Sequence, residues 1–339
     1  MKVLLIGGGG YIGIPLAEQL LERGHTVRVL DRFYFGRELF EGLLGKPGLE
    51  FVQGDLREPD PAAFKGIDAV VLLGALSNDP CADLDPRLSQ EINMDGTLRC
   101  AELAKAAGAK RLIFSSSCSV YGAGNGLLTE TSATAPVSLY AKLKLDAEAK
   151  LHAMASDDFI VTSLRHATVF GLAPRMRFDL VVNLMTLTAF QKGQIFVLGG
   201  GMQWRPLVHV RDVGLAFVTV LESKPELVQR EIFNVGSDDQ NLRVRDVATL
   251  VATIVPNTKI EQVPSDADNR DYHVTFGKIA KVLGYKTRYS VEAGAREVYE
   301  ALVAGRTADH IRTRTLAYYK HLLDAERLVR ELSINGKML

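Results

Sequence analysis

The chain has 339 residues, 47% apolar and 24% charged, enough for one large domain or two modest ones with ample core. Lysine plus arginine and aspartate plus glutamate are both 40, so the formal charge is zero and no nucleic-acid or anionic membrane surface is indicated. Three cysteines, Cys81, Cys100 and Cys118, are odd in number and lack metal-type spacing; they read as reduced thiols in a cytoplasmic protein with no metal site.

The apolar run after Lys2 is too short for a signal peptide and ends in glycines, and no stretch approaches the roughly 20 residues of a membrane span. That run, Val3 to Ile6, stops at Gly7-Gly-Gly-Gly10, and Gly13 follows; Ile12, Leu16, Leu20 and Leu21 then recur at helical spacing. The pattern predicts strand, tight turn and helix. Gly7 permits the turn, Gly10 lets the backbone approach a pyrophosphate, and Gly13 lets helix and strand pack closely. The helix N-terminus offers free N–H groups to phosphates. A second strand, His25 to Asp31, ends in a carboxylate that can bond both ribose hydroxyls of an adenosine and repel a 2′-phosphate. NAD is therefore favoured over NADP, although Arg32 offers a cation beside it.

Further strands are predicted at 49–54, 68–74, 110–115 and 159–165, with helices clearest at 88–107 and 140–155. Short apolar runs of this kind suit a parallel sheet buried on both faces, so the fold class is a Rossmann-type, doubly wound α/β sheet. Beyond Gly171 the regularity weakens. Helices are predicted at 176–192, 213–222 and 244–255, strands at 195–198, 206–210 and 232–236, and a polar extended segment at 262–272. Residues 293–332 read as mostly helical, and Leu316, Tyr319, Leu322 and Leu323 predict packing against the smaller lobe. The expected division is a dinucleotide-binding domain over 1–170 and a mixed α/β substrate lobe over 171–339, with elements near 206–223 joining the first domain. The loop Ser77–Pro86 follows a strand end beside the cofactor, and reads equally as a substrate-sensing lid or a solvated loop.

Ser117 stands in a serine run at the end of the fifth strand, and Tyr140-Ala-Lys-Leu-Lys144 follows 23 residues later. Tyr140 and Lys144, four apart, share one helix face. An ammonium and a positively charged nicotinamide both favour a phenolate, so Tyr140 is a candidate base. Ser117 would hydrogen-bond the reacting hydroxyl.

Together these motifs resemble the extended short-chain dehydrogenase/reductase family, in its NAD-dependent nucleotide-sugar epimerase/dehydratase branch of the UDP-glucose 4-epimerase-like type. The resemblance implies a catalytic triad of Ser117, Tyr140 and Lys144. It implies a cofactor site of Gly7, Gly10, Tyr11, Ile12, Gly13, Asp31, Arg32, Asp55, Leu56, Gly74, Ala75, Leu76, Asn93, Ser115, Tyr140, Lys144 and His166. His166 reads as a packed or backbone-contacting residue rather than a catalyst. A substrate site of Ser77, Ser117, Cys118, Ser119, Thr168, Asn183, Arg205 and Arg270 is implied, with the two arginines converging on a diphosphate. His209 reads as structural and Trp204 as packing.

Family members that dehydrate sugars carry two acidic residues after the catalytic hydroxyl, and those that decarboxylate keep a glutamate at the second position. Here those positions are Cys118 and Ser119, neither an acid near neutral pH. Thr168 stands where the epimerase pattern often has asparagine. The reading that follows is an NAD-dependent C4 epimerase of a nucleoside-diphosphate hexose, working through a transient 4-keto sugar. The alternatives are a 4-keto-deoxysugar reductase and a non-catalytic NAD sensor or scaffold. A homodimer through the 88–107 and 140–155 helices is also expected, on the argument that they would expose an apolar stripe.

Overall fold

In the computed structural model, which describes residues 1–123, 126–264, 271–334 and 337, all six apolar runs expected as strands in the first half enter one sheet. Its seven strands, in spatial order, are Glu231–Val235, Ile160–His166, Arg111–Ser117, Ala69–Leu72, Lys2–Ile6, Thr26–Asp31 and Leu49–Gln53. Every pairing is parallel. The runs are continuously apolar because both faces are covered. Val3, Leu5, Val27, Val29, Val71 and Ile113 point into one core with Leu16 and Leu20 of the Gly13–Glu22 helix. Leu4, Ile6, Leu30, Val70, Leu72 and Phe114 point into another with Ala101, Ala104, Leu143 and Ala147. This is the period-2 alternation of a strand, with apolar residues at both phases.

Lys2–Ile6 lies between Ala69–Leu72 and Thr26–Asp31, so the strand order reverses beside it. Sheets of this kind bind ligands in the crevice at that switch point, beyond the carboxyl ends of the strands. The structure is thus a Rossmann-type fold.

The seventh strand, Glu231–Val235, returns from the second half of the chain to join this sheet. The region near 206–223 divides. Helix Val210–Glu222 packs against the main sheet's first core through Val213 and Phe217, but strand Trp204–His209 pairs with Thr168–Phe170 and Asn241–Arg243 in a separate sheet. The helix begins earlier than expected because His209 Nδ1 accepts from Arg211 N at 3.2 Å and caps it. The smaller lobe gathers helices Val181–Lys192, Val244–Ile254 and Val291–Val303 around Phe170, Ile195, Val197 and Leu207.

Three expected helices change. The one expected at 88–107 is Pro86–Gln90, a widened π turn Glu91–Gly96, and helix Thr97–Ala106. A Cβ on Gly96 would lie 2.3 Å from Leu56 Cδ1, so the chain passes too close there for a side chain. The helix expected at 176–192 begins only at Val181, because Arg175, Met176 and Phe178 are buried in an irregular segment before it. The C-terminal helix Thr315–Leu332 does not pack on the smaller lobe. It leans on the segment after the second strand, where Tyr318 OH donates to Tyr34 O at 2.7 Å and Phe35 meets the rings of Tyr318 and Tyr319.

The expected apolar stripe on the paired helices is absent. No large apolar residue of Thr97–Ala106 or Leu139–Ala153 is exposed, and their exposed positions include Glu102, Lys105, Lys142 and Lys150. No helix among the described residues is long and apolar enough to cross a membrane.

Candidate active site

The glycine turn forms because two strand ends close on each other. Gly7 has φ +77°, and a Cβ there would lie 2.4 Å from Gly74 Cα. A Cβ on Gly13 would lie 2.3 Å from Gly8 O, which is the close helix–strand approach expected of it. Gly10 meets only Gly7 O at 3.4 Å, so its open side faces the crevice. The helix starting at Gly13 has no side-chain cap, which leaves its first N–H groups for a ligand.

Above this turn lies a cleft of about 770 Å³. Its wall includes Gly7, Gly10, Tyr11, Ile12, Gly13, Asp31, Arg32, Asp55, Leu56, Gly74, Ala75, Leu76 and Ser77. Asp31 accepts from Gly9 N at 2.9 Å and Phe33 N at 2.6 Å, so it shapes the glycine turn as well as facing the cleft; burial holds its carboxyl above the usual range. Arg32 is committed to Asp55 at 2.7 Å, and Asp55 also holds Arg57 at 2.6 Å. Asn93 spends both ends of its amide on Leu76, accepting from its N at 2.8 Å and donating to its O at 3.2 Å. It positions the strand end from behind and is not in the cleft wall.

Two arginines missed from the sequence complete this wall. Arg175 and Arg177 sit in the loop after strand Thr168–Phe170; the available signal was Pro174-Arg-Met-Arg177 directly beyond a strand end. Arg175 is 4% exposed with Nε unpartnered among the described residues, while Arg177 pairs with Asp179 at 2.7 Å. An uncapped helix N-terminus, a glycine cradle, a carboxylate at the second strand end and a buried guanidinium suit the pyrophosphate and ribose of a dinucleotide. The residues present therefore fit NAD.

Ser117, Tyr140 and Lys144 are not in that wall; Tyr140 is linked to it through Arg177, a wall residue whose charge acts on the phenol. Ser138 caps helix Leu139–Ala153, accepting from Ala141 N at 3.2 Å, and so places Tyr140 and Lys144 on the face toward Arg111–Ser117. Burial pushes the Tyr140 phenol up to about 12, with Asp79 adding to the rise; Arg177 and a hydrogen bond with Ser117 oppose it. The expected help from Lys144 takes a different form. Its Nζ donates to Ser115 O at 2.6 Å and lies 5.8 Å from the Tyr140 ring centroid. Burial lowers the ammonium to about 8, against the pull of Glu148. Ser117 Oγ accepts from Ser119 N at 3.1 Å, which fixes the turn after the strand.

His166 ends the neighbouring strand. Burial and then Lys144 lower it to about 3, so it is a neutral imidazole, and neither ring nitrogen has a partner among the described residues. Ser119 Oγ is likewise buried and unpartnered.

Two of the expected substrate contacts, Cys118 and Asn183, are corrected. Cys118 is 1% exposed, donates to Arg165 O at 3.3 Å and packs in the core, because the chain turns at once into the short helical segment Cys118–Tyr121 that carries it inward. Asn183 is fully buried with its amide used on Gly171 N, Tyr11 OH and Arg177 O, so it clamps the loop behind the site. Tyr11, in turn, donates to Gly171 O at 2.6 Å. Thr168 sits half-buried at the start of its strand. Arg205 is buried, donates to Trp204 O at 2.8 Å and lies over the Tyr272 ring. Arg270 lies outside the described residues.

The loop Ser77–Pro86 is pinned rather than solvated. Cys81 and Ala82 are buried, Asn78 Nδ2 donates to Asp179 at 3.1 Å, and Ser138 Oγ donates to Asp79 at 2.5 Å.

A parallel sheet with a glycine turn at its switch point and a cleft above that turn defines a dinucleotide-binding protein of Rossmann type. Comparison places it further: residues 3–236 match the NAD dependent epimerase/dehydratase family, and the chain belongs to it. NAD is its cofactor. The chain is 29% identical to a UDP-glucose 4-epimerase of Lactobacillus helveticus over 315 residues, 85% of this chain and 93% of that protein. It is 28% identical to a UDP-N-acetyl-alpha-D-glucosaminuronate decarboxylase of Bacillus cytotoxicus, over 88% of this chain and 97% of that one. The solved structure of MoeE5 in complex with UDP-glucuronic acid and NAD is similar, with a TM-score of 0.78, 26% identity, and coverage of 90% of this chain and all of the other.

Proposed function

We propose that this member of the family is an NAD-dependent epimerase acting at C4 of a nucleoside-diphosphate hexose. The observation that carries the reading is the Ser117–Tyr140–Lys144 group at the carboxyl end of strand Arg111–Ser117 with no carboxyl side chain at positions 118 and 119. Cys118 is buried and held protonated, and Ser119 is no acid, so an acid for water loss or a carboxylate for decarboxylation is not supplied there.

NAD, when bound, supplies a reversible hydride acceptor for a sugar carbinol and a positive ring charge beside Tyr140. Tyr140 takes the hydroxyl proton and returns it. Ser117 orients that hydroxyl, and Lys144, anchored by Ser115 O, holds the phenol's face of the site positive. Arg205, buried at the edge of the smaller lobe, is proposed as one grip on the substrate diphosphate, with Arg270 as the second. A grip on the diphosphate that leaves the hexose loosely held would let the sugar turn in its site and present either face of C4.

The test is incubation of UDP-glucose and UDP-glucuronic acid with the enzyme and NAD, followed by NMR and by absorbance of the reduced cofactor. Interconversion of C4 epimers with no net reduced cofactor is expected. Net consumption of reduced cofactor by a 4-keto sugar nucleotide makes it a reductase; loss of carbon dioxide or water, or no turnover of any sugar nucleotide, also overturns the proposal. Cytoplasmic residence fits the three free, buried thiols. A homodimer through the Thr97–Ala106 and Leu139–Ala153 helices belongs to the proposal by family resemblance alone; sedimentation showing only monomer at micromolar concentration removes it.

A further inference from the structure

The family match ends at Gly236, yet the cleft it defines has one wall made by a helix near the other end of the chain. Across from the glycine turn stand Tyr319, Leu322, Leu323 and Glu326 of helix Thr315–Leu332. These positions are spaced by three, one and three residues, so they form one helical face. Leu322 and Leu323 are half-buried and line the cleft.

The helix is tied to the residues that shape the dinucleotide site. Arg175 Nη2 donates to Thr315 Oγ1 at 2.9 Å, and the same guanidinium stacks 3.9 Å over the Phe35 ring. Arg312, just before the helix, pairs with Glu38 at 2.7 Å, and Tyr318 OH bonds Tyr34 O. Tyr319 meets the Phe35 ring at 6.0 Å between centroids, and Phe35 carries the Arg175 guanidinium on its face, so this part of the helix stands beside the arginine of the cleft wall.

We infer that helix Thr315–Leu332 is an additional wall of the NAD site, running along its adenosine half, and that the Tyr319–Leu322–Leu323 face retains the bound dinucleotide. An aromatic ring and two leucines give an adenosine an apolar surface that the glycine turn and Asp31 lack. Exchange of the dinucleotide through this side requires the helix to leave Tyr34 and Phe35, which slows release. The inference stands on the cofactor alone and is independent of which sugar reacts.

The test uses the full chain and reduced NAD as a fluorescent probe, with dissociation followed by stopped flow after addition of excess NAD. Tyr319→Ala and the double variant Leu322→Ala with Leu323→Ala remove the inner face; Leu328→Ala, on the exposed outer face, is the control. About tenfold or faster release is expected from each inner-face variant, the loss that removal of apolar contacts of this size produces. The control should release at the wild-type rate. Unchanged release from the inner-face variants overturns the inference. Equal acceleration by Leu328→Ala also overturns it, because the effect is then one of helix stability. Tighter binding by the inner-face variants makes the helix an obstruction and overturns it as well.

Discussion

Ser138 donates to Asp79 across 2.5 Å, joining the residue that caps helix Leu139–Ala153 to the loop beyond the fourth strand of the chain. Asp79 thereby stands close enough to Tyr140 to raise its phenol, second only to burial. Asn78, beside it, has φ 112°, a conformation that costs about 1–3 kcal/mol for a residue with a side chain and is maintained by its hydrogen bonds to Cys81 N and Asp179.

Asp79→Asn keeps the shape and removes the charge. The Tyr140 phenol should then titrate below its present value of about 12, and any activity limb that follows phenolate formation should shift to lower pH. Ultraviolet titration of tyrosinate, compared with the Tyr140→Phe background to isolate this phenol, measures it. An unmoved titration shows that Asp79 acts only as a tether.

Tyr140→Phe keeps the ring against Lys144 and removes the proton carrier. Turnover should fall by about 10²–10⁴ while NAD affinity stays within a few-fold. Ser117→Ala should cost less, because the hydroxyl orients rather than transfers. If Cys118→Ala were inactive and Tyr140→Phe nearly normal, the mechanism would be wrong.

His166 should remain neutral throughout the range where an ordinary histidine titrates. Its folded value is about 3 against roughly 6.5 unfolded, so the unfolded chain binds more protons between the two. Its contribution to stability is therefore fully present above pH 6.5 and is lost as pH falls toward 3. Melting midpoints from pH 7 to 4 should drop more steeply in wild type than in His166→Leu. Parallel curves would remove His166 from the account.

Asp31→Ala removes a carboxylate that serves the glycine turn and, by proposal, the ribose. NAD affinity should weaken and the gap to NADP should narrow, because the group that repels a 2′-phosphate is gone. Arg32 already pairs its charge with Asp55 at 2.7 Å. Titration with both cofactors decides this; a wild-type preference for NADP would falsify the assignment of Asp31.

Glu148→Gln tests the polar network under the triad. Glu148 pairs with buried Arg165 at 2.7 Å and accepts from Ser116, one turn beyond Lys144. Removing one partner of a buried pair typically costs about 3–5 kcal/mol. The melting midpoint should fall, and Lys144, losing a neighbour that favours its charge, should titrate below about 8. A midpoint within a degree of wild type would show that the pair contributes nothing.

The local features of this chain were legible without coordinates. Glycines at 7 and 13 stand where no side chain fits, apolar runs at both strand phases require a sheet covered on two sides, and Tyr140 and Lys144 share a face at four-residue spacing. All of these depend on neighbours within a turn or a strand. Tertiary structure decided the rest. Cys118 turned inward because the path after a strand end depends on what the sheet packs against. Asn183 became a clamp because Tyr11 and Gly171, 160 residues apart in sequence, meet at its amide. Leu316, Tyr319, Leu322 and Leu323 announced an amphipathic helix but not its partner. An apolar stripe specifies how much surface must be buried, not which surface buries it, and only the folded chain brings that stripe to the cofactor cleft.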